Sequence, residues 1–326
     1  MSVAASPDPP AQPPWPPVVA PEWLREHYDE VVVADVRWYL DGRSGYDAYL
    51  ERHLPGAVFV DLDRCLAGPA AVEEGRHPLP APDNFARAMT SVGITGGQAV
   101  VGYDDDGGRI AARLVWLLRV SGHRASLLDG GIDAWPGPVE GGPVEGGPLE
   151  GGPVEGGPLE RGPVERGPIE RGPVERPSSG RGPVSPAAGA LNLREWPAAR
   201  FVPPEEVTSA SIVLDARAPE RYRGEVEPVD ARAGHIPGAR NAPTAGNLDE
   251  RGRFKTPEAL RDIYGNLGVD RGSSPVVYCG SGVTACHDLI ALELAGFEDG
   301  RLYPGSWSQW SADPARPVET GAEGGR

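Results

Sequence analysis

This chain of 326 residues repeats its own landmarks in the same order, and that duplication limits what it can fold into. Val100-Val101-Gly102-Tyr103-Asp104 parallels Pro275-Val276-Val277-Tyr278-Cys279, and His53-Leu54-Pro55-Gly56-Ala57 parallels His235-Ile236-Pro237-Gly238-Ala239. Leu128-Asp129-Gly130-Gly131 answers Tyr303-Pro304-Gly305-Ser306, and Asp35-Val36-Arg37 answers Asp215-Ala216-Arg217. Tyr103 precedes Trp135 by 32 positions, and Tyr278 precedes Trp310 by the same 32. The period is far too long for a solenoid repeat. It implies two domains of one fold, each of about 130 residues and large enough for its own core. Trp307 and Trp310 are expected in that core and in domain packing.

Within each copy, apolar runs alternate between two periods. In the first, residues 31–36, 57–61 and 99–103 read as strands, and residues 46–52, 82–92 and 109–121 as helices. In the second, residues 212–215, 275–278 and a stretch near Leu302 read as strands. Residues 257–267 read as a helix capped by Thr256, and Asn241 as a loop residue. Strands alternating with helices imply an α/β fold, each domain a mainly parallel sheet with helices on both faces.

Between the copies, residues 137–176 hold eight five-residue units of pattern Gly-Pro-(Val/Leu/Ile)-Glu-(Gly/Arg). Proline at every fifth position forbids a continuous helix. One aliphatic side chain per unit buries too little area to offset chain entropy. Residues 136–195 are therefore expected to be a disordered spacer, against a β-solenoid or partner-binding tract as the competing readings. That leaves an N-terminal domain at 18–135 and a C-terminal domain at 196–326. Residues 1–17 are rich in proline, lack the basic and apolar regions of a signal peptide, and read as a disordered leader.

The formal net charge is −16, and the repeat tract contributes eight Glu against four Arg. The remainder is still acidic, which weighs against nucleic acid and anionic membranes as partners. No segment is long and apolar enough to span a bilayer. The three cysteines form no metal-like pair, which points to a reducing, cytoplasmic setting. Cys279 and Cys286 lie two helical turns apart and are not a redox pair; Cys286 and Cys65 read as small buried side chains.

The chemistry concentrates at Tyr278-Cys279-Gly280-Ser281-Gly282-Val283-Thr284. A strand ends in a cysteine, small residues follow, and an apolar helical pattern begins. Free N–H groups and the dipole of that helix favour an anion in the loop. A thiolate is an anion and the reactive form of the nucleophile. The first copy carries Asp104 at the same place and cannot do thiol chemistry.

These elements together resemble the tandem-domain sulfurtransferases of the rhodanese family, from about residue 21 to the C-terminus apart from the repeat tract. The loop from Cys279 to Ala285 is similar to the mercaptopyruvate branch; the thiosulfate branch has Cys-Arg-Lys-Gly-Val-Thr there. The resemblance implies a Cys279 persulfide with the N–H groups of Gly280, Ser281, Gly282, Val283 and Thr284 around its outer sulfur. It implies a small-molecule donor, 3-mercaptopyruvate or thiosulfate, and a thiol or cyanide acceptor, a thioredoxin-like protein among the thiols. No metal or organic cofactor is implied, because the cysteine carries the group. Arg221 matches the family's substrate arginine, whose guanidinium can grip a carboxylate through two hydrogen bonds. The second arginine of the mercaptopyruvate branch is missing, since Asp230 stands at its place; Arg232 is the candidate replacement. Asp215 and Arg217 form an expected supporting ion pair. In the same branch a first-domain histidine and an acid are held to polarise the loop serine. His53 with Asp47 or Asp41 would fit here, although the presence of a histidine in both copies favours an architectural role for His53.

Three other classes are weighed against this reading. A cysteine phosphatase needs an arginine six positions after its nucleophile, and Ala285 stands there. An inactive binding module is at odds with a second domain that keeps thiol, glycines and arginine. A persulfide carrier for one dedicated protein differs from an enzyme only in turnover.

Overall fold

A computed structural model describes residues 15–144, 189, 191 and 193–322. The N-terminal domain runs β1 (Val18–Val19), α1 (Pro21–Glu26), β2 (Val31–Asp35), α2 (Gly45–Glu51), β3 (Val58–Phe59) and α3 (Leu62–Cys65). It continues through α4 (Pro82–Ser91), β4 (Ala99–Tyr103), α5 (Ala111–Val120) and β5 (Ala125–Leu128). Its five strands are all parallel, in the order β1-β5-β4-β2-β3. Alternation along β2 decides which side chain faces which layer. Val32 and Ala34 face the layer that holds α4 and α5, whereas Val31 and Val33 face the layer that holds Leu24 of α1.

The C-terminal domain repeats the plan with β6 (Val213–Asp215), α6 (Pro219–Tyr222), β7 (Arg240–Asn241), α7 (Pro257–Asn266) and β8 (Val276–Tyr278). It ends with α8 (Ala285–Leu294), β9 (Arg301–Leu302) and α9 (Ser306–Ala312). Its four parallel strands follow the order β7-β6-β8-β9. Thr256 caps α7 by accepting from Ala259 N–H. Asn241, expected in a loop, pairs with Asp215 as part of β7.

The duplication extends to register. Asp35 pairs with Tyr103 in one sheet, and Asp215 with Tyr278 in the other. Each aspartate holds an arginine two residues on, Arg37 at 2.7 Å and Arg217 at 2.6 Å. Each tyrosine hydroxyl accepts the N–H that follows a histidine, from Leu54 at 3.0 Å and from Ile236 at 3.1 Å. His53 and His235 both stack on a tyrosine and bond a backbone carbonyl at 2.8 Å, so both brace a corner.

The inner layers of the two sheets meet in one shared core. Helix α5, which follows the Asp104 loop, packs on α8, which follows the Cys279 loop. Trp196 sits between Phe85 of one domain and Phe201 of the other, and Trp116 meets Phe201 edge-on. An Arg119–Glu293 ion pair closes the rim of this interface.

The domain limits differ from those expected. Trp15, placed in the leader, donates to Ser126 Oγ at 2.8 Å and packs on Trp23; residues 1–14 lie outside the described residues. At the start of the spacer, Glu140 pairs with His53 through backbone bonds in both directions, and its carboxylate accepts from Gly56 N–H at 3.0 Å. Glu319 does the same for His235 and Gly238 in the second domain. Trp135 donates to Pro138 O and Trp310 to Pro317 O. Pro138-Val139-Glu140 is therefore the closing segment of the first domain, the counterpart of Pro317-Val318-Glu319. Leu191 and Leu193, at the far end of the expected spacer, are buried in the shared core. The rest of the tract, 145–188, lies outside the described residues. No helix among the described residues is long and apolar enough to cross a membrane.

Candidate active site

Strand β8 ends at Tyr278, and the chain turns at once so that Cys279 lies under the start of α8. The thiol is 2% exposed, and Gly282 N–H donates to its sulfur at 3.1 Å. Gly282 has φ +76°, and a Cβ there would lie 2.4 Å from Pro304 O, so only glycine fits this turn. On the other side, Trp307 N–H and Ser308 N–H at the start of α9 bond the carbonyls of Cys279 and Gly280 at 2.9 and 2.8 Å. Ser306 completes the brace. It is a buried non-glycine residue at φ +51°, where its first-domain counterpart is Gly131 at φ +60°. Its Oγ accepts Cys279 N–H at 3.2 Å and donates to Tyr303 O at 2.9 Å.

The first domain shows what this loop geometry prefers. Asp104 replaces the cysteine, and its carboxylate accepts four backbone N–H groups, from Asp106, Gly108, Ile110 and Ala111, at 2.7–2.9 Å. A strand–loop–helix of this kind is an anion nest. In the second domain the Cys279 sulfur occupies the corresponding place and accepts from Gly282 N–H.

The opposite wall comes from the first domain. Residues 66–80 cross to the second domain, where Gly75 packs so tightly that a Cβ would lie 2.7 Å from Gly305 O and from Ser308 Oγ. Arg76 N–H donates to Ser308 Oγ at 3.1 Å. This crossing delivers His77, whose Nδ1 is 2.8 Å from Ser281 Oγ and whose Nε2 is 3.2 Å from Asp63 Oδ1. Trp38 meets the His77 ring edge-on and donates to the other Asp63 oxygen at 3.1 Å. Arg113 of α5 holds the crossing down. Fully buried, it donates to the carbonyls of Leu66, His77 and Pro78 and, at 2.7 Å, to Gly282 O. No carboxylate among the described residues pairs with it, and burial pulls its pKa below the usual arginine value.

Serine, histidine and acid thus line up, but with His77 and Asp63 rather than His53 and Asp47 or Asp41. His53 is committed to the Tyr49 carbonyl and to the Glu140 backbone. A sequence signal existed for His77. The duplication that makes His53 architectural leaves unrepeated histidines free for the site.

A cleft of about 970 Å³ lies between the domains, reaching from Cys279 and Ser281 to Arg221 and Arg76. Arg221 lines this cleft from the last turn of α6, bonded to Glu227 Oε1 at 2.7 Å and to Asp230 Oδ2 at 3.1 Å. Arg232 is not at the cleft. It donates to the carbonyls of Trp310, Ser311, Asp313 and Arg316 at 2.6–3.0 Å, capping the end of α9, so every arm of its guanidinium is used structurally. The second guanidinium near the loop belongs to Arg76, which pairs with Asp230. Arg217 lines the cleft but is locked to Asp215, and also contacts Glu227 at 3.3 Å.

The remaining cysteines are buried, and burial pushes Cys65 up to about 11 and, against the opposing pull of Arg113, Cys286 up to about 12. Neither is a thiolate at neutral pH. Beside Cys286, α8 carries the fully buried Asp288, which accepts from Asn247 Nδ2 at 2.7 Å. Tyr264 completes the group by donating to Asn247 Oδ1 at 3.0 Å. Burial raises Asp288 well above the usual carboxylate range.

Comparisons with known proteins agree with this geometry. The chain is 38% identical to a putative thiosulfate sulfurtransferase, SseB, of Mycobacterium tuberculosis, over 90% of this chain and 92% of the relative. It is 41% identical to a probable 3-mercaptopyruvate sulfurtransferase of Pseudomonas aeruginosa, over 90% and 93% of the two chains. Among solved structures, the 3-mercaptopyruvate sulfurtransferase of Leishmania major superposes with a TM-score of 0.71 at 26% identity, covering 92% of this chain and 75% of the other. A family model for the rhodanese-like domain matches twice, at residues 20–137 and 204–313. With both halves of the duplication matched, and the thiol nest in the second, the chain belongs to the rhodanese family as a tandem of two rhodanese-like domains.

Proposed function

We propose that the protein is a sulfurtransferase that moves a sulfane sulfur from 3-mercaptopyruvate to a thiol or cyanide through a persulfide on Cys279. The observation that carries the reading is the Cys279 sulfur held by Gly282 N–H in a nest whose first-domain copy holds a carboxylate.

In the first half-reaction the Cys279 thiolate attacks the donor sulfur. The S–S bond forms, the C–S bond breaks, and pyruvate leaves as its enolate, which must take a proton at carbon. The hydrogen-bonded line Ser281–His77–Asp63 stands two residues from the nucleophile and can carry that proton from the donor thiol. Arg221 orients the donor carboxylate. In the second half-reaction an acceptor thiolate or cyanide takes the outer sulfur and returns Cys279 as thiolate. The cleft is much larger than the donor, which leaves room for an acceptor.

Thiosulfate is the second donor to consider, because a relative carries that name. Its sulfur leaves sulfite without needing a proton. Ser281 is neutral where the thiosulfate branch has lysine, which favours the singly charged donor. A carrier role toward one protein partner would differ in giving a single transfer and no turnover.

The test is intact-mass analysis after each donor is added. The expected result is a gain of one sulfur, about 32 Da, on Cys279. It should be absent in Cys279→Ser and kept in Cys65→Ser and Cys286→Ser. No gain with either donor would sink the reading. A kcat/KM for thiosulfate about tenfold above that for 3-mercaptopyruvate, some 1.4 kcal/mol, would reverse the donor assignment only.

A further inference from the structure

We infer that Asp230 is an internal occupant of the donor's anion site, a carboxylate that bridges Arg221 to Arg76 of the other domain and sets which donor charge the site accepts. The inference rests on the sulfurtransferase reading for the identity of the donors, and on the following geometry for everything else.

Arg76 and Arg221 come from different domains and converge on the residue next to the nucleophile. A Cβ built on Gly280 would lie 3.0 Å from Arg76 Nη2, and 3.6 and 3.9 Å from the two terminal nitrogens of Arg221. A Cβ at Gly280 would thus press on Arg76 and touch Arg221, so an anionic group carried by a donor at Cys279 would lie within reach of both guanidiniums. Asp230 already sits between the two. One carboxylate oxygen bonds Arg76 Nη1 and the other bonds Arg221 Nη2 at 3.1 Å, while the side chain is only 3% exposed.

The loop is built to hold it there. Glu227 Oε1 accepts the N–H of Val229 at 3.2 Å and of Asp230 at 3.1 Å, and the same carboxylate binds Arg221 and Arg217. Position 230 is thus locked by a neighbour that also grips the cations. Arg221 Nε, by contrast, is buried with no hydrogen-bond partner among the described residues, so Glu227 and Asp230 engage this guanidinium through Nη2 alone.

Charge decides the consequence. Every arginine lining the cleft has a carboxylate partner: Arg43 has Asp41, Arg109 has Asp106, Arg217 has Asp215, Arg221 has Glu227 and Asp230, and Arg76 has Asp230. An incoming anion finds cations that are already half satisfied and carboxylates beside them. A single negative charge can share the two guanidiniums with Asp230 or displace it. The Asp230 charge acts on a dianion about twice as strongly as on a monoanion, because Coulomb energy is proportional to charge, and so cancels much of the extra attraction that the two guanidiniums would give a second charge. Asp230, standing where a second substrate arginine was expected, thus acts as a filter against dianionic donors, and Arg76 supplies the missing cation from across the domain interface.

The experiment is calorimetric binding of two unreactive probes to the full chain, pyruvate as the monoanion and sulfate as the dianion. The proteins are wild type, Asp230→Asn, Arg76→Gln, Arg76→Lys and the double variant Arg76→Gln/Asp230→Asn, each with a thermal midpoint to confirm folding. Asp230→Asn should tighten pyruvate about threefold and sulfate about tenfold or more. Arg76→Gln should weaken both, Arg76→Lys should recover part of the loss, and the gain from Asp230→Asn should shrink in the double variant because the two groups are in contact. Unchanged or weaker anion affinity in Asp230→Asn overturns the inference, as does an equal gain for both probes. Arg76 is about one-third exposed, so its variants are expected to fold, and unaltered affinity in Arg76→Gln overturns the inference without reference to Asp230. A chain that binds anions this way yet gains no sulfur on Cys279 refutes the sulfurtransferase reading and leaves this one standing.

Discussion

Arg113 donates a 2.7 Å hydrogen bond to the carbonyl oxygen of Gly282, and the two residues belong to different domains. One is a fully buried cation with carbonyls for partners; the other shapes the turn around the nucleophile. The N-terminal domain therefore holds the Cys279 loop directly, and the same guanidinium holds the segment that delivers His77.

Removing this clamp takes a charged donor from four carbonyls, of which Pro78 O keeps Gly68 N–H and Gly282 O keeps only the weak Cys286 thiol. Arg113→Met is expected to lower stability by about 2–4 kcal/mol, the range for stranding buried polar partners. It should also lower kcat/KM with both donors, because the loop and His77 lose their common support. Arg113→Lys should recover only part, since an ammonium cannot reproduce the planar fork. Denaturant melts and kinetics on the two variants check this; wild-type kinetics in Arg113→Met would show that the clamp is idle.

His77 separates the two donors. Its proposed work is proton transfer, which 3-mercaptopyruvate needs and thiosulfate does not. His77→Asn should lower kcat with 3-mercaptopyruvate by roughly 10²–10³, the usual worth of a general acid–base group. The thiosulfate rate should change by much less. An equal loss with both donors would mean that His77 only packs.

Ser306 carries strain and a hydrogen bond at the same position, and two substitutions divide them. Ser306→Ala keeps a side chain at φ +51° and loses the brace to Cys279 N–H. It should cost about 1–2 kcal/mol of stability and lower activity. Ser306→Gly loses the same bond but relieves a conformation that costs about 1 kcal/mol or more outside glycine. The glycine variant should therefore melt above the alanine variant while sharing its catalytic defect. Equal melting points would show that the backbone at 306 is not strained.

Asp288 gives a pH dependence with a definite sign. Burial, the largest influence, raises it well above its ordinary value of 3.8, so the folded state holds the proton more tightly than the unfolded chain. Its contribution to stability is fully present below 3.8 and is lost as the pH rises toward the folded-state value. Asp288→Asn keeps the shape without the titration. The stability of wild type relative to this variant should be flat in acid and fall steadily as pH rises above about 4. A flat difference up to pH 8 would contradict a protonated Asp288.

The duplication made much of this fold readable before any coordinates. Landmarks repeated in one order implied two domains of one fold and put the thiol in a strand–loop–helix nest, while the shared register of Asp35 with Tyr103 and Asp215 with Tyr278 emerged only in the structure. What stayed hidden came from contacts that no local pattern encodes. His77 reaches Ser281 across 204 positions, and Arg76 reaches Asp230 across 154. Both depend on how the domains dock, and their segment shares no sequence landmark with its structural counterpart, the bridged loop Leu248–Phe254 that crosses to Asp129 and Gly130 of the first domain. Arg232 was misplaced for the converse reason. It lies two positions from Asp230, but chain direction aims it at the carbonyls ending α9.

The closing segment of the first domain bears on the repeat tract. Pro138-Val139-Glu140 lies in a unit, residues 137–141, that is identical to its neighbour at 142–146. Excising whole units from this part of the chain leaves the same tripeptide the same number of positions beyond Trp135, with the same glutamate to meet His53 and Gly56. Gaining units changes nothing there either. The copy number can therefore drift in evolution without the first domain registering it, so long as one copy survives. The tract reads as repetition of a unit whose first copy is a structural clasp.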